Sequence, residues 1–128
     1  MIFVIDDDQS VLRALLLLLR SAGFDARAFS SAAEFLKQPH ITESDCLILD
    51  LSMPGMNGFD LMEILTSRGI HAKIIVITAY DDSHNRERAR KMKAAAFLTK
   101  PVDDRALIDT IKWTSQIGKA GKLSDAQK

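Results

Sequence analysis

The chain has a single cysteine in 128 residues, which rules out a disulfide framework. That residue, Cys46, sits inside an apolar run, where a thiol serves as a small core side chain and not as a nucleophile. Net charge is also absent, because 17 Lys and Arg balance 17 Asp and Glu. Without an excess of either sign, nothing favours direct nucleic-acid binding or adsorption to a membrane surface. No apolar stretch is long enough to span a bilayer. The richest run, Leu15 to Leu19, lies between Arg13 and Arg20 and follows Asp6-Asp7-Asp8, where a secretory leader carries basic residues. A cytoplasmic location is therefore expected. Neither a Gly-x-x-x-x-Gly-Lys-Ser/Thr loop nor a Gly-x-Gly-x-x-Gly turn follows any strand-like segment, so no known nucleotide cradle is present. The three histidines, His40, His71 and His84, fall in loops or at a helix start, and no His/Cys cluster of zinc-site type exists.

What is present is ordinary in amount and specific in order. Hydrophobic residues make up 47% of the chain and charged ones 27%, enough for one domain with its own core. The neutral total conceals an asymmetry: residues 1–82 carry twelve acids against six Lys or Arg, and residues 83–128 five against eleven.

Five short apolar runs alternate with five amphipathic or polar segments. The strand-like runs are 2–5, 25–29, 46–49, 73–77 and 95–98. The helix-like segments are 9–22, a short one opened by Ser31-Ala32-Ala33-Glu34, 58–68, 83–92 and 103–116. In the first helix Val11, Leu15, Leu18, Leu19 and Ala22 share the expected inner face, and Gly23 is placed to close it in a left-handed cap. Residues 118–128 are small and polar, which reads as a flexible tail or the start of a linker beyond a domain of residues 1–117. Strict strand–helix alternation predicts an α/β fold, a doubly wound five-stranded parallel sheet covered on both faces. In such sheets the site lies beyond the carboxyl ends of the strands.

Those ends carry the chemistry. The first strand runs into Asp6-Asp7, the third ends in Asp50, the fourth in Thr78, and the fifth leads to Lys100. Crowded carboxylates repel unless a cation neutralises them, and hard oxygen donors suit Mg²⁺, with Mn²⁺ a substitute. A carboxylate beside such a cation can attack phosphorus to give an aspartyl phosphate. In that scheme a lysine and a hydroxyl stabilise the transferring oxygens. Asp50 as nucleophile, Asp6 and Asp7 as metal acids, Lys100 as cation and Thr78 as donor form that set. Asp8 suits a helix N-cap. A hydrolase with its aspartate nucleophile after the first strand, using Asp6 and Asp8, is the competing class. It leaves Asp50 and the Met53-Pro54 loop without a role.

The segments Val4-Ile5-Asp6-Asp7-Asp8, Leu49 to Gly58 (LDLSMPGMNG), Val76-Ile77-Thr78-Ala79 and Phe97-Leu98-Thr99-Lys100-Pro101 together resemble the receiver domain of two-component response regulators. The likeness extends from Ile2 to about Gln116 and is nearest to the receivers of nitrogen-fixation, LuxR-type regulators. It implies a flavodoxin-like (βα)5 fold and a phosphoacceptor signalling domain, not an enzyme acting on a separate substrate. Asp50 would accept a phosphoryl group from a sensor histidine kinase. Asp7 and Asp50 would bind Mg²⁺ directly, Asp6 through water and Ser52 through its backbone carbonyl. Thr78 and Phe97 would form the switch, and the Lys100-Pro101 peptide would be cis. The resemblance further implies a helix-four, strand-five, helix-five output face, a phosphorylation-dependent homodimer through it, and control of transcription by an output domain outside this chain. A stand-alone receiver, or a module that binds partners without phosphorylation, is the alternative. Two positions depart from the pattern: Lys93 stands where a glycine usually ends the fourth helix, and Val102 replaces a frequent phenylalanine.

Overall fold

The computed structural model describes residues 1–38, 40–80 and 82–126, with side chains through residue 115. Five strands and five helices alternate: β1 (Ile2–Ile5), α1 (Gln9–Ser21), β2 (Ala26–Phe29), α2 (Ala32–Phe35), β3 (Cys46–Asp50), α3 (Gly58–Ser67), β4 (Lys73–Thr78), α4 (Ser83–Lys91), β5 (Ala96–Thr99) and α5 (Asp104–Ala126). All pairings are parallel, in the order β2-β1-β3-β4-β5. This is the doubly wound sheet that the alternation predicts, with its switch of strand order between β1 and β3.

The pleat sorts side chains by parity. Phe3, Ile5, Leu47, Leu49 and Val76 face one layer, where they meet α2, α3 and Ala89 of α4. Ile2, Val4, Ile48, Ile75 and Ile77 face the other, against α1 and α5. Burial on both faces is why these runs show no polar alternation. Phe3, Phe29 and Phe35 form a three-ring cluster with centroids 5.4–6.0 Å apart.

Caps fix the helix starts. Asp8 accepts N–H bonds from Ser10 and Val11 at the head of α1, and Ser31 accepts from Glu34 at α2. Asn57 and Asp60 close a full capping box on α3. Gly23 takes φ +91°, the left-handed cap expected of it. The inner face of α1 differs from the spacing-based one: Leu12, Leu15 and Leu19 are buried, whereas Ala22 is exposed. Five consecutive leucines leave the stripe free to rotate, and packing on the sheet selects it.

α5 also differs. Its backbone runs to Ala126, past Gln116 where the composition places its end. Gly118 and Gly121 each cost about 1 kcal/mol of helix propensity, but Lys119, Ala120, Lys122 and Leu123 are good helix formers. Residues 127–128 of the expected tail lie outside the described residues.

Lys93 adopts φ +64° at the turn after α4, a left-handed conformation that a β-carbon disfavours. Lys93→Gly is therefore expected to stabilise the protein by about 1 kcal/mol, read as a higher urea midpoint with unchanged slope.

Candidate functional site

The site is built where β1 and β3 adjoin. Ile5 pairs with Leu49, so the next residues, Asp6 and Asp50, leave the sheet side by side at its switch point. Both are buried, at 0% and 3% exposure, whereas Asp7 is exposed. Ligand oxygens of Asp6, Asp7 and Asp50 lie within 4.8 Å of one another. From the end of β5, the Lys100 ammonium reaches 2.8 Å from Asp6 Oδ2 and 3.4 Å from Asp50 Oδ2. The Asp50 carboxylate also accepts the Ser52 N–H on Oδ1 at 3.2 Å, and Asp6 Oδ1 accepts the Asp8 N–H at 3.0 Å.

Neutralisation is incomplete. Burial, together with the neighbouring Asp6 carboxylate, pushes Asp50 up to about 6, against the opposing pull of the Ser52 N–H and Lys100. Burial works against the Lys100 ammonium, but Asp6 and Asp50 outweigh it and hold its pKa above the usual lysine value. Asp6 Oδ2 is fully buried, and the Lys100 ammonium at 2.8 Å is its neutralising contact. Three carboxylates converging within 4.8 Å against a single lysine form a hard oxygen donor set that fits a divalent cation.

The remaining expected residues lie on β4 and β5 and at the peptide that follows β5. Thr78, fully buried, ends β4 one residue beyond Ile77, the partner of Asp50, and its hydroxyl accepts the Tyr80 N–H at 3.0 Å. Phe97 is not in the acid cluster; it pairs with Val76, half-buried, with the Arg86 guanidinium 4.8 Å from its ring centroid. The Lys100-Pro101 peptide is cis. Asp8, the second acid of the competing hydrolase scheme, is exposed and occupied as the α1 cap, with its pKa lowered by the Ser10 hydroxyl and the Val11 and Ser10 N–H groups. Burial raises the Cys46 thiol to about 11, consistent with an inert core residue.

Two features escape a reading of residue types. Gly58 packs so closely on the end of β3 that a β-carbon would lie 2.8 Å from the Asp50 carbonyl oxygen. Arg88 does not extend into solvent as its polar surroundings suggest: its guanidinium lies 4.2 Å from the Phe59 ring centroid and 3.6 Å from Glu63. Both depend on contacts between α3 and its neighbours that spacing along the chain does not encode.

The fold and site together define a doubly wound α/β domain with three acids and a lysine gathered at its switch point. The chain belongs to the response regulator receiver domain family, whose profile matches residues 2–112. The transcriptional regulatory protein FixJ of Azorhizobium caulinodans is 36% identical over 129 residues, covering 98% of this chain and 60% of FixJ. Nodulation protein W of Bradyrhizobium diazoefficiens is 40% identical over 110 residues, 86% of this chain and 48% of that protein. Among solved structures, the response regulator StyR superposes with a TM-score of 0.84 at 40% identity, over 98% of this chain and 64% of StyR. The chain thus spans roughly half to two thirds of these relatives, and it is a receiver domain of the two-component, FixJ-like type. No helix among the described residues is long and apolar enough to cross a membrane.

Proposed function

We propose that Asp50 is the phosphoacceptor, taking its phosphoryl group from a phosphohistidine of a sensor histidine kinase. The observation that carries this reading is the convergence of the Asp6, Asp7 and Asp50 oxygens within 4.8 Å, with Lys100 against two of the three carboxylates. A carboxylate oxygen of Asp50 attacks phosphorus, the phosphorus–nitrogen bond breaks, and its electron pair returns to the imidazole ring. The Ser52 N–H orients Asp50 through Oδ1. Lys100 is placed to balance charge on the incoming phosphoryl oxygens. Asp6, Asp7, Asp50 and the Ser52 carbonyl would hold Mg²⁺, or Mn²⁺ in its place. When bound, the ion lowers repulsion between the carboxylates and the phosphoryl group.

The aspartyl phosphate adds roughly −1.5 to −2 charge, a new partner for Thr78 and Lys100. Thr78 can donate its hydroxyl hydrogen to a phosphoryl oxygen, and turning to do so shifts the bond it accepts from the Tyr80 N–H, which draws on the loop before α4 and on Phe97. The α4–β5–α5 face is the proposed readout, through a phosphorylation-dependent homodimer. Residues 1–117 form the receiver, and 118–128 lead toward a transcriptional output domain outside this chain. The domain acts in the cytoplasm and does not itself contact nucleic acid.

Incubation with acetyl phosphate and Mg²⁺ is expected to give one added phosphoryl group by intact mass. None should appear in Asp50→Asn or when the ion is chelated. An unmodified wild-type protein under the same conditions would instead support a module that binds without phosphorylation.

A further inference from the structure

One cavity among the described residues lies away from Asp50. It is an open groove of about 690 Å³ between the carboxyl-terminal ends of α3 and α4. Lys73 and Ile74 at the start of β4, and Ala95 just before β5, place it at the opposite edge of the sheet from the acid cluster. The volume falls within the usual range for a small-molecule site.

Its accessible apolar wall is formed by Ile70, Ala72, Ile74 and Met92, Met62 and Leu65 being buried in the core. The Met92 thioether makes that wall adaptable to irregular shapes. The rim has one sign of charge. Lys73, Lys91 and Lys93 line it beside His71, and the one acid among the lining residues, Glu63, is already 3.6 Å from Arg88. The Lys73 ammonium donates only to an uncharged group, the Glu43 carbonyl oxygen, at 3.1 Å. Lys93 holds its strained φ of +64° at this rim, a place where glycine would carry no strain. Lys93 thus brings a cationic residue to the lining of this apolar groove at the cost of a left-handed backbone.

We infer that this groove binds an amphiphilic anion, a carboxylate or sulfonate on an apolar body. The body lies on the Ile70–Ile74–Met92 wall and the headgroup meets Lys73 and Lys93. A cationic amphiphile would face three lysines, and a neutral one would add no counter-charge to Lys73 and Lys93. The site is independent of the Asp50 chemistry.

Sodium decanoate titrated into the ¹⁵N-labelled protein is the test. Saturable amide shifts confined to Ile70, Ala72 and the Met92–Ala95 turn are expected. Lys73→Glu and Lys93→Glu should each weaken binding by about 3- to 10-fold. Lys93→Gly, a variant expected to be more stable than the parent, should also bind more weakly, which separates loss of the headgroup contact from loss of fold. Shifts scattered over the surface would overturn the inference. So would equal affinity for decyltrimethylammonium or decanol, or unchanged binding by Lys93→Gly.

Discussion

Asp50→Asn is expected to make the metal-free protein more stable at neutral pH, although it removes the proposed phosphoacceptor. The folded-state pKa of Asp50 is about 6, raised by burial and by Asp6, against about 3.9 for an unfolded aspartate. Below pH 4 the carboxyl is protonated in both states and costs nothing. Between pH 4 and 6 the folded state holds a proton that the unfolded state has lost, so stability falls as pH rises through that window. Above pH 6 the loss is complete, at about 2–3 kcal/mol. Asparagine has no such titration. Denaturant curves of the two proteins should therefore coincide near pH 4 and separate by that amount at pH 7. Lys100 keeps its 2.8 Å contact with Asp6 in the variant, so the gain is not offset by an orphaned ammonium. Millimolar Mg²⁺ should close much of the gap by stabilising the wild type, since a ligand that binds only the folded state shifts unfolding in proportion to its occupancy. A gap that is constant across pH 4–7 would show that burial of the Asp50 charge is not its source.

The gathering of the acids and the lysine at one sheet edge was legible in the sequence, and their surroundings were not. Asp6, Asp50, Thr78 and Lys100 sit at strand ends, and parallel-sheet topology alone sends all strand ends to one edge. Residue identity and order were then enough to predict their convergence, and the ion pairs of Lys100 with Asp6 and Asp50 follow from it. The Lys93 turn was legible only through the resemblance, in which a glycine usually ends the fourth helix, and its φ of +64° agrees with that. What the chain does not encode locally is rotation and reach. Leu12 and Ala22 lie on the same run of helix as the true stripe, and the choice between them rests on which leucines meet Val4, Ile48 and Ile77. Arg86 and Arg88 belong to a helix that buries only Ala89, so its charges read as solvated. Their long side chains instead lie on Phe97 and Phe59, contacts set by the spacing of α4 from its neighbours. The end of α5 depends on the balance between two glycines and their helix-forming neighbours, which composition alone does not weigh.

Gly58→Ala tests how tightly the acceptor is tied to the helix behind it. Gly58 opens α3, and its N–H donates to the Leu51 carbonyl oxygen at 3.1 Å, joining the helix directly to the end of β3. An added β-carbon would meet the Asp50 carbonyl oxygen at 2.8 Å, Leu51 Cα at 2.9 Å and Leu51 Cδ2 at 3.0 Å. The last of these can rotate aside, but the first two are backbone and move only if the strand end moves. The expected cost is about 3 kcal/mol, the upper end for overpacking, because no flexible side chain can absorb the overlap. The displaced strand end carries Asp50 with it and strains the Ser52 N–H bond that orients the carboxylate. A shift on the order of 1 Å at a reacting atom lowers rate by about 100-fold. Phosphorylation by acetyl phosphate should slow by that factor even at temperatures where the variant remains folded. Gly55→Ala supplies the contrast: at φ +76° with nothing within 4 Å of its β-carbon, it carries backbone strain of about 1 kcal/mol and no steric push on Asp50. Gly55→Ala should therefore lose stability alone, while Gly58→Ala loses both stability and rate. Equal rates in the two variants would mean that α3 does not position the acceptor.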